Sequence, residues 1–401
     1  MKNKKIGILV FAIIIAAMFL TWASSAVFQQ SKPITRKIIV FKQGVLDEKA
    51  KEALIEKFGG VKIKDLSLID GKAVFLSPKA EAELAHHSGI LRIEDDIIVE
   101  ALEKKYSKIE RTATQPSEIL PWGVDRIDAE KVWDITTGDP IKVAVIDTGI
   151  DLKHPDLKDN IKGGYNAINP RKSANDDNGH GTHVAGIIAA IDNEIGVVGV
   201  GPKIDLYAVK VLNAAGSGYL SDVIEGLDWA IKNKMNVVSM SLGTTTYSQS
   251  FEDAIKRVNA AGIVQVAAAG NNGPGSNTVN YPAKFAEVIA VSATDSNDAI
   301  ASWSSRGPEV DLAAPGVNIY STYKGSTYKT LSGTSMACPH VTGVVALLLS
   351  TPDKCDSNSD GKCSPEEVQQ RLEATAKDLG AIGKDDLYGA GLVNASKAVV
   401  S

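Results

Sequence analysis

Apolar positions in the first quarter of the chain repeat with the period of a strand and of a helix in turn. Short apolar runs bounded by charged or turn residues predict three strands, at Arg36–Lys42, Gly71–Leu76 and Ile90–Val99. Helical spacing between them predicts helices at Glu48–Phe58 and Pro78–His87. We therefore expect a small α+β unit before the main body of the chain, followed by a charged stretch with little periodicity.

From Pro121 onward, short apolar runs alternate with helical patterns. The runs, which fit strands buried on both faces of a parallel sheet, are Val143–Ile146, Asp205–Val211, Val237–Met240, Ile263–Ala268 and Val288–Ser292. The helical patterns are His183–Ile191, Leu220–Lys232, Phe251–Ala261 and Val341–Leu349. This alternation predicts an α/β fold with a doubly wound, mainly parallel sheet and helices on both faces. Ligands bind such sheets beyond the carboxyl ends of the strands, where Asp147 and Asn271 lie.

The N-terminus has the composition of a targeting segment. Three lysines precede an apolar run, Ile6–Leu20, and Ser24 and Ala26 follow as the small residues of a cleavage site. This pattern predicts a secretory signal peptide over residues 1–26, and therefore a secreted protein that meets a membrane only through that transient segment. An uncleaved membrane anchor is the alternative, although the run is short for a bilayer span.

Composition and charge exclude some partners. The 401 residues are 44% hydrophobic and 23% charged, with a net charge of −5 and no long basic run. That is an ordinary globular balance, and we expect no nucleic-acid partner. Two of the three cysteines, Cys355 and Cys363, lie close together, which in an exported chain predicts a disulfide. The third, Cys338, is interpreted as a buried, inert thiol in a helix.

Two glycine-flanked polar residues, Asp147 and His180, are candidates for acid–base chemistry. Asp147 in VAVIDTGID follows a buried strand, and its carboxylate would orient a histidine, although a turn aspartate before glycine is an equally common interpretation. His180 in NGHGTHVAG begins a helix, which suits an accessible base. His183 is the competing candidate for the base, and a zinc metalloprotease site is not expected because that motif needs a glutamate that is missing here.

Ser335 and Asn271 complete the candidate chemistry. Ser335 in SGTSMACPHVTG precedes a long apolar helix, whose N-terminal N–H groups favour a developing oxyanion. In isolation Ser335 is also typical of an N-cap. Asn271 in AAAGNNGPG follows a strand and is either an oxyanion donor or a turn residue.

These segments, in the chain order Asp, His, Ser, resemble the subtilisin-like serine proteases, the subtilase family. The resemblance extends from Pro121 to Val399 through PWGVDRI, HPDL, IGVVGVGP, KVLNAAGSG, SMSLG, NYPA, SSRGP, AAPGV and YGAGLVNA. It implies that Ser335 is the nucleophile and Asp147 the group that orients the base. Because the family motif places the catalytic histidine first, it also implies that His180 is the base and His183 a structural histidine. It also implies that the Asn271 amide and the Ser335 backbone N–H bind the oxyanion.

The resemblance further implies how a peptide is bound. Two extended edges, Gly216-Ser217-Gly218 and Ser241-Leu242-Gly243, would pair with the main chain of a protein or peptide substrate, which makes selectivity broad. Ala268, Ala269, Gly270 and, near its base, Asn280 would line the pocket for the side chain before the scissile bond. Because these residues bring little bulk and no charge, we expect a large apolar side chain there, called P1.

One calcium ion is implied by the family, and its ligands are transferred by position. They are the Asn193 side chain, the carbonyls of Ile191, Ile195 and Val197, and the carboxylates of Asp156 and Glu118. Oxygen-only ligation suits this hard cation. The alternative is a solvated turn.

A second calcium site is predicted from a motif that departs from the common family pattern. Asp356, Asn358, Asp360, Gly361 and Glu367 match the loop D-x-[DN]-x-[DN]-G-x₅-E, with Lys362 at the position that usually supplies a carbonyl. Cys363 occupies a position where an apolar residue is usual. The alternative is a polar loop closed by the disulfide.

Together these implications describe a secreted, calcium-stabilised serine endopeptidase, a monomer, made as a self-processing precursor. Residues 27–102 would be a propeptide that assists folding and inhibits the active site, and residues 103–401 the catalytic domain. Cleavage is expected after Leu102, with Tyr106 as the second choice. Two other classes are a catalytically inactive scaffold, which would lack a triad residue, and a calcium-binding adhesion protein, suggested only by the Asp356 loop.

Overall fold

The computed structural model describes residues 33–103 and 115–400, so the predicted signal peptide and Tyr106 lie outside the described residues. The first unit contains strands β1 Thr35–Phe41, β2 Val61–Leu66, β3 Gly71–Leu76 and β4 Ile90–Asp95, and helices α1 Glu48–Lys57 and α2 Pro78–Leu84. Its antiparallel sheet has the order β2-β3-β1-β4. Leu54 and Ile55 of α1 and Leu84 of α2 pack against this sheet in a small core. The predicted α+β unit is therefore present.

Two predictions for this unit need correction. Strand β2 (VKIKDL) was not predicted, because its residues lack a clean alternation of apolar and polar positions. The strand predicted at Ile90–Val99 is two strands, β4 and β5 Ile98–Ala101. The chain leaves the first sheet at Asp96, whose backbone N–H donates to Arg36 and whose carboxylate accepts the N–H of Ser221 at 2.9 Å. This contact with the main body directs β5 away from the unit.

The main body is built on one seven-stranded parallel sheet of order β14-β13-β12-β10-β6-β8-β7. Its strands are β6 Lys142–Asp147, β7 Ile161–Asn166, β8 Asp205–Lys210, β10 Val237–Met240, β12 Val264–Ala268, β13 Ile289–Thr294 and β14 Leu312–Pro315. The five predicted strands form the centre of this sheet, and the two missed strands, β7 and β14, are its edges. Smaller strands are β9 Ser217–Tyr219, β11 Leu242–Gly243, β15 Ile319–Tyr323 and β16 Thr327–Leu331.

Helices cover both faces of this sheet, as a doubly wound fold requires. They are α3 Trp122–Arg126, α4 His180–Ala189, α5 Leu220–Lys232, α6 Gln249–Ala260, α7 Thr334–Leu349, α8 Pro365–Thr375 and α9 Ala395–Val400. Alternate residues of β6 show the two faces: Val143 and Val145 pack in the core with α4 and α7, whereas Ala144 and Ile146 pack in the core with α5 and α6. Helix α4 begins three residues earlier than predicted, at His180.

The helices of the part described are all too short or too polar to cross a membrane.

Candidate active site

Asp147 and His180 meet where the carboxyl end of β6 faces the N-terminus of α4. Nδ1 of His180 lies 2.8 Å and 3.0 Å from the two carboxylate oxygens of Asp147, and both side chains are buried. Gly181 permits this approach, since a Cβ there would lie 2.1 Å from the carbonyl oxygen of Gly149. The sequence therefore placed these two residues correctly at element ends, and the fold brings them together.

The environment of His180 favours its protonated form. Burial lowers the pKa of this imidazole, but the charge and hydrogen bond of Asp147, with smaller contributions from Glu103 and Asp176, more than offset burial and raise the pKa above its usual value. The Nε2 atom is buried and has no hydrogen-bond partner among the described residues. It is therefore available to take a proton from a neighbouring group.

Ser335 occupies the first turn of α7, close to the predicted position at a helix start. Its hydroxyl donates to the carbonyl of Ser241 at 2.9 Å, and the Ser241 hydroxyl donates to the carbonyl of Ser335 at 2.8 Å. The hydroxyl is thus not bonded to His180 in this arrangement. Attack on a peptide requires it to turn from Ser241 toward Nε2 of His180, a tightening that is common once substrate is bound.

Asn271 already holds a carbonyl oxygen. Its amide Nδ2 donates to the main-chain carbonyl of Leu102 at 2.7 Å, while its Oδ1 accepts from the backbone N–H and the hydroxyl of Thr334 at 3.0 Å and 3.1 Å. Thr334, which the sequence analysis did not single out, therefore fixes which way the amide faces. A Cβ at Gly333 would come within 2.5 Å of the same Leu102 oxygen, so this carbonyl is tightly enclosed.

Strand β5 lies between the two predicted peptide-binding edges. In the three-stranded antiparallel sheet β11-β5-β9, Val99 pairs with Gly218 and Glu100 with both Ser217 and Gly243. Beyond these pairs, Ala101 donates to the carbonyl of Gly216 at 2.9 Å.

Leu102 continues this strand by donating to Ser241 at 3.2 Å. The two edges therefore hold a peptide by its main chain, and here that peptide is this chain's own segment.

The side chain of Leu102 packs against the core that contains Ala268 and lies beside Gly243, which also adjoins Asn280 of the predicted P1 pocket. A Cβ at Gly243 would lie 3.1 Å from Cδ1 of Leu102 and 3.2 Å from Cβ of Asn280. Gly270, at φ +113°, has no room for a side chain because Asn280 is 2.9 Å from where its Cβ would be. The backbone N–H of buried Asn280 donates to Ala269 at 2.8 Å, and Ala268 is buried behind it. The residues predicted to line the P1 pocket are therefore buried and small, and Asn280 brings the side-chain amide among them.

The first unit also caps two helices of the main body. Asp96 accepts the backbone N–H and hydroxyl of Ser221 in the first turn of α5, and Glu94 accepts the N–H groups of Gln249 and Ser250 at the start of α6. Arg36 donates to Asp96 at 2.8 Å. Carboxylates at helix N-termini satisfy open N–H groups and oppose the helix dipole, so these contacts hold the unit against the main body.

The first predicted calcium site brings two carboxylates to one loop. Asp156 is buried and accepts from Asn193, Val197 and Tyr328 at 3.0 Å, 3.0 Å and 3.2 Å, and Glu118 accepts the N–H of Asn193 at 2.6 Å. Burial raises the pKa of Asp156 to about 7, because its hydrogen bonds lower the pKa too little to compensate and the nearby Glu118 raises it further. Among the residues that the structure describes, the two carboxylates meet no third acidic, histidine or cysteine side chain that would complete a metal cluster, and no salt bridge joins Asp156 to a basic residue.

The second predicted site is not assembled as a cage. Within residues 33–103 and 115–400, no three His, Cys, Asp or Glu side chains meet closely enough to hold a metal ion, so Asp356, Asp360 and Glu367 do not converge. Glu367 instead completes a capping box with Ser364 at the start of α8 and accepts from Ser357. These bonds, first that of Ser357, lower the pKa of Glu367 to about 2.

The rest of that loop is tightly turned. Asp356 accepts the N–H groups of Asp360 and Gly361 at 3.0 Å and 2.8 Å, and Asn358 also accepts that of Asp360. Lys362 donates its N–H to the Asp360 carboxylate at 3.0 Å. The predicted disulfide between Cys355 and Cys363 is present and closes this turn.

The remaining cysteine and histidine predictions concern buried groups. Cys338 is a buried free thiol whose pKa burial raises to about 11, which makes it a poor nucleophile. His183 is buried, donates from Nε2 to the carbonyls of Ile319 and Lys329, and has its pKa lowered to about 3 by burial. Its position is that of a structural histidine.

Comparison with known proteins agrees with this geometry. Residues 138–391 match the model of the subtilase family. The chain is 45% identical over 322 residues to a thermostable alkaline protease of Halalkalibacterium halodurans, covering 80% of this chain and 83% of that protein. It is 47% identical over 283 residues to subtilisin Savinase of Lederbergia lenta, covering 70% and 99%. It is 40% identical over 410 residues to subtilisin E of Bacillus subtilis, covering 99% and 100%. The chain belongs to the subtilase family of serine endopeptidases, which cut peptide bonds with an Asp-His-Ser triad.

Proposed function

We propose that this serine endopeptidase is a secreted, self-processing precursor whose triad is Asp147, His180 and Ser335. The observation that carries the proposal is the carbonyl of Leu102, held 2.7 Å from the Asn271 amide in the position of a substrate carbonyl. Residues 27–102 are then the inhibitory propeptide and residues 103–401 the catalytic domain. Leu102 is the P1 residue of the first cut, and Glu103 becomes the new N-terminus.

The chemistry follows from the arrangement of these groups. The Ser335 hydroxyl turns toward His180, gives its proton to Nε2 and attacks the carbonyl carbon. Asp147 holds His180 in the correct tautomer and stabilises the imidazolium that forms. The oxygen becomes negative, and the Asn271 amide and the helix N-terminus at Ser335 stabilise it. His180 then protonates the leaving amine, and water repeats the sequence on the acyl enzyme.

Substrate preference follows from the edges and the pocket. Pairing through main-chain groups of Gly216–Gly218 and Ser241–Gly243 accepts many protein and peptide sequences. The small residues around Leu102, with Asn280 as the polar group, favour large apolar P1 side chains. Because β5 occupies both edges, the propeptide acts as an intramolecular inhibitor until it is removed.

Calcium is proposed to stabilise the mature fold at the Asp156 loop. The ligands would be Glu118, Asp156, the side chain of Asn193 and main-chain carbonyls of the loop Ile191–Val197. An ion there would neutralise a buried carboxylate whose pKa burial raises. We extend this proposal to the Asp356 loop, where binding requires the Glu367 carboxylate to leave its capping box and join Asp356, Asn358, Asp360 and the Lys362 carbonyl.

The test of the function compares the wild-type chain with Ser335→Ala. The wild type should label with a fluorophosphonate, which reacts only with an activated serine, and should yield a product that begins at Glu103. Ser335→Ala should fold, remain full length and stay unlabelled. Ser239→Ala is the control, because it makes the same substitution at a buried serine of β10 that contacts α7 away from the site. This variant should still mature. Maturation of purified Ser335→Ala, or a first product that begins elsewhere, would overturn the corresponding part of the proposal. If the protein were a catalytically inactive scaffold, neither the wild type nor Ser335→Ala would label with the fluorophosphonate.

A further inference from the structure

The carboxylate of Asp176, four residues before His180, accepts five hydrogen bonds. It is 4% exposed. Its Oδ1 accepts from the Thr148 hydroxyl and from the backbone N–H groups of Asn178 and Gly179, each at 2.9 Å. Its Oδ2 accepts from the N–H and the hydroxyl of Thr182, at 3.0 Å and 2.6 Å. All five donors belong to the two segments that carry Asp147 and His180.

The donors include open N–H groups at the buried N-terminus of α4. This helix begins after Gly179, which has no side chain to cap it. Asp176 satisfies the N–H of Thr182, and the Thr148 hydroxyl satisfies that of Gly181 at 2.9 Å. Because unpaired N–H groups are costly in a buried place, these bonds fix where the first turn of α4 lies.

The same carboxylate is tied to the strand that carries Asp147. Thr148 follows Asp147 directly, and its hydroxyl donates to Asp176 while accepting from Gly181, the residue after His180. The bridge therefore joins the neighbour of Asp147 to the neighbour of His180. A tilt of α4 relative to β6 would therefore stretch this bridge together with the 2.8 Å bond between Asp147 and His180.

We propose that Asp176 is a positioning residue that holds His180 against Asp147 through Thr148 and the first turn of α4. The inference rests on the triad of the proposed function and adds to it a fourth residue, a carboxylate that does not touch substrate. Without it, His180 samples orientations in which Nε2 no longer faces Ser335. Such loosening lowers the rate of the chemical step while leaving the peptide-binding edges intact.

The charged groups around His180 make its pKa a measurable test of the role of Asp176. Asp147 faces its ring from β6, Asp176 from the preceding loop, Glu103 from the inhibitory segment, and His183 lies one turn on in α4. The three carboxylates favour the imidazolium. Removing the charge of Asp176 should therefore lower the pKa of His180, whereas mere loss of folded protein should not.

The experiment compares matured wild type, Asp176→Asn and Asp177→Asn, with active sites counted by fluorophosphonate titration. Asp177 is the control for the change in charge, because it is the next residue, its side chain is 53% exposed, and its carboxylate pairs with Lys210 rather than with the first turn of α4. We expect Asp176→Asn to lower kcat per titrated site by about 10- to 100-fold with KM unchanged, in line with the cost of small misplacements. The acid limb of its pH profile should move to lower pH. Asp177→Asn should match wild type in both.

A second arm does not depend on maturation. Proton NMR of the full-length Ser335→Ala chain measures the titration of His180 with and without Asp176→Asn, and thermal melting reports folding. Thr148→Val, which removes the bridging hydroxyl, should reproduce the loss of kcat. Wild-type kcat per site in Asp176→Asn, or a loss of activity with an unchanged His180 pKa, would overturn the inference. Failure of wild type to label at all would instead overturn the proposed function, and the NMR arm would still decide whether Asp176 acts on His180.

Discussion

Individual side chains at the site have roles that depend on one or two neighbours. Asn271 is the clearest case. The backbone N–H of Thr334 donates to its Oδ1, and this bond orients the amide so that Nδ2 points at the Leu102 carbonyl. His180 is the second, because three carboxylates oppose the effect of its burial. Each yields a test that changes a single atom group.

Asn271→Ala should lower kcat and leave KM nearly unchanged, because the amide donates most strongly to the oxygen that becomes negative. The expected loss is about 10²–10³-fold, the range measured for this kind of donor in subtilisin itself. Steady-state kinetics on a peptide substrate with titrated active sites provide the measurement. Asn272→Ala, whose amide donates to Asn280 rather than to Leu102, is the control. An equal loss in both variants would contradict the role of Asn271.

The pH profile of kcat/KM should have an acid limb governed by His180. Only neutral imidazole accepts the proton of Ser335, so activity falls as pH drops through the pKa of His180. Because that pKa is raised, the limb should lie above the usual histidine range, and Asp147→Asn should shift it to lower pH while reducing kcat. The measurement is kcat/KM across pH at constant ionic strength. A limb that Asp147→Asn leaves in place would assign it to another group.

Strand ends, helix starts and loops position these side chains. The end of β6, the start of α4 and the start of α7 supply the three residues of the proposed triad, and the loop after β12 supplies Asn271. Two loops outside the site carry the proposed calcium ligands. Their effects should appear in stability rather than in the chemical step.

Removal of calcium should lower the thermal stability of the inhibited enzyme. An ion bound only to the native state adds about 2.7 kcal/mol at a free concentration 100 times its Kd. Asp156→Asn should lose most of that increment, because the buried charge that needs the cation is gone. Melting temperatures with calcium and with chelator, in wild type and variant, test this. A melting temperature that chelator leaves unchanged in wild type would exclude a stabilising ion at this loop.

The Asp356 loop should bind a second ion independently of the first. Calcium per chain, measured in the Ser335→Ala background, should fall by one in Asp356→Ala combined with Asp360→Ala. The Cys355–Cys363 disulfide preserves the turn in both proteins, so the comparison isolates the ligands. Equal stoichiometry would mean that the segment is only a loop closed by a disulfide.

At the scale of the whole molecule, charged contacts join the first α+β unit, which we propose to be the inhibitory unit, to the main body, which we propose to be the catalytic body. Inside that unit Lys72 is buried at 1% exposure, and it pairs with Glu48 and Asp65. Hydrogen bonds from Lys51 and Lys72 lower the pKa of Glu48. Burial opposes the same effect at Asp65, but its bonds to Lys72 and Lys62 prevail, so its pKa is also lowered. Both carboxylates of these ion pairs are therefore ionised at neutral pH.

Acid should therefore loosen the inhibitory unit before the catalytic body. A carboxylate with a lowered pKa in the folded state stabilises above its unfolded pKa, and that stability disappears as pH falls through the folded pKa. In the Ser335→Ala precursor, hydrogen exchange of residues 35–95 should accelerate on acidification below the usual carboxylate range, while strands of the seven-stranded sheet stay protected. Lys72→Met, which removes the shared cation, should weaken this pH dependence. Simultaneous loss of protection in both units would contradict it.

Strongly periodic elements were predictable from local pattern. The bounds of Leu220–Lys232 and Val237–Met240 agree with the structure, because a helix with one apolar face and a strand buried on both faces each leave a clear pattern. The two strands of the seven-stranded sheet that were not predicted lie at its edges. Ile161–Asn166 contains two glycines and Leu312–Pro315 ends in proline, and edge strands tolerate such residues because they pair on one side only.

The sequence by itself determined the α/β class, the disulfide pair and the residue types of the site, since these depend on local pattern and on motifs that resemble one family. Tertiary structure decided the rest. The break at Asp96 exists because its carboxylate caps a helix distant in sequence, and that contact delivers Leu102 to Asn271. The role of Asp176 likewise appears only when α4 and β6 are packed side by side. Contacts between residues far apart in the chain are set by packing and by the need to pair buried polar groups, which no local pattern records.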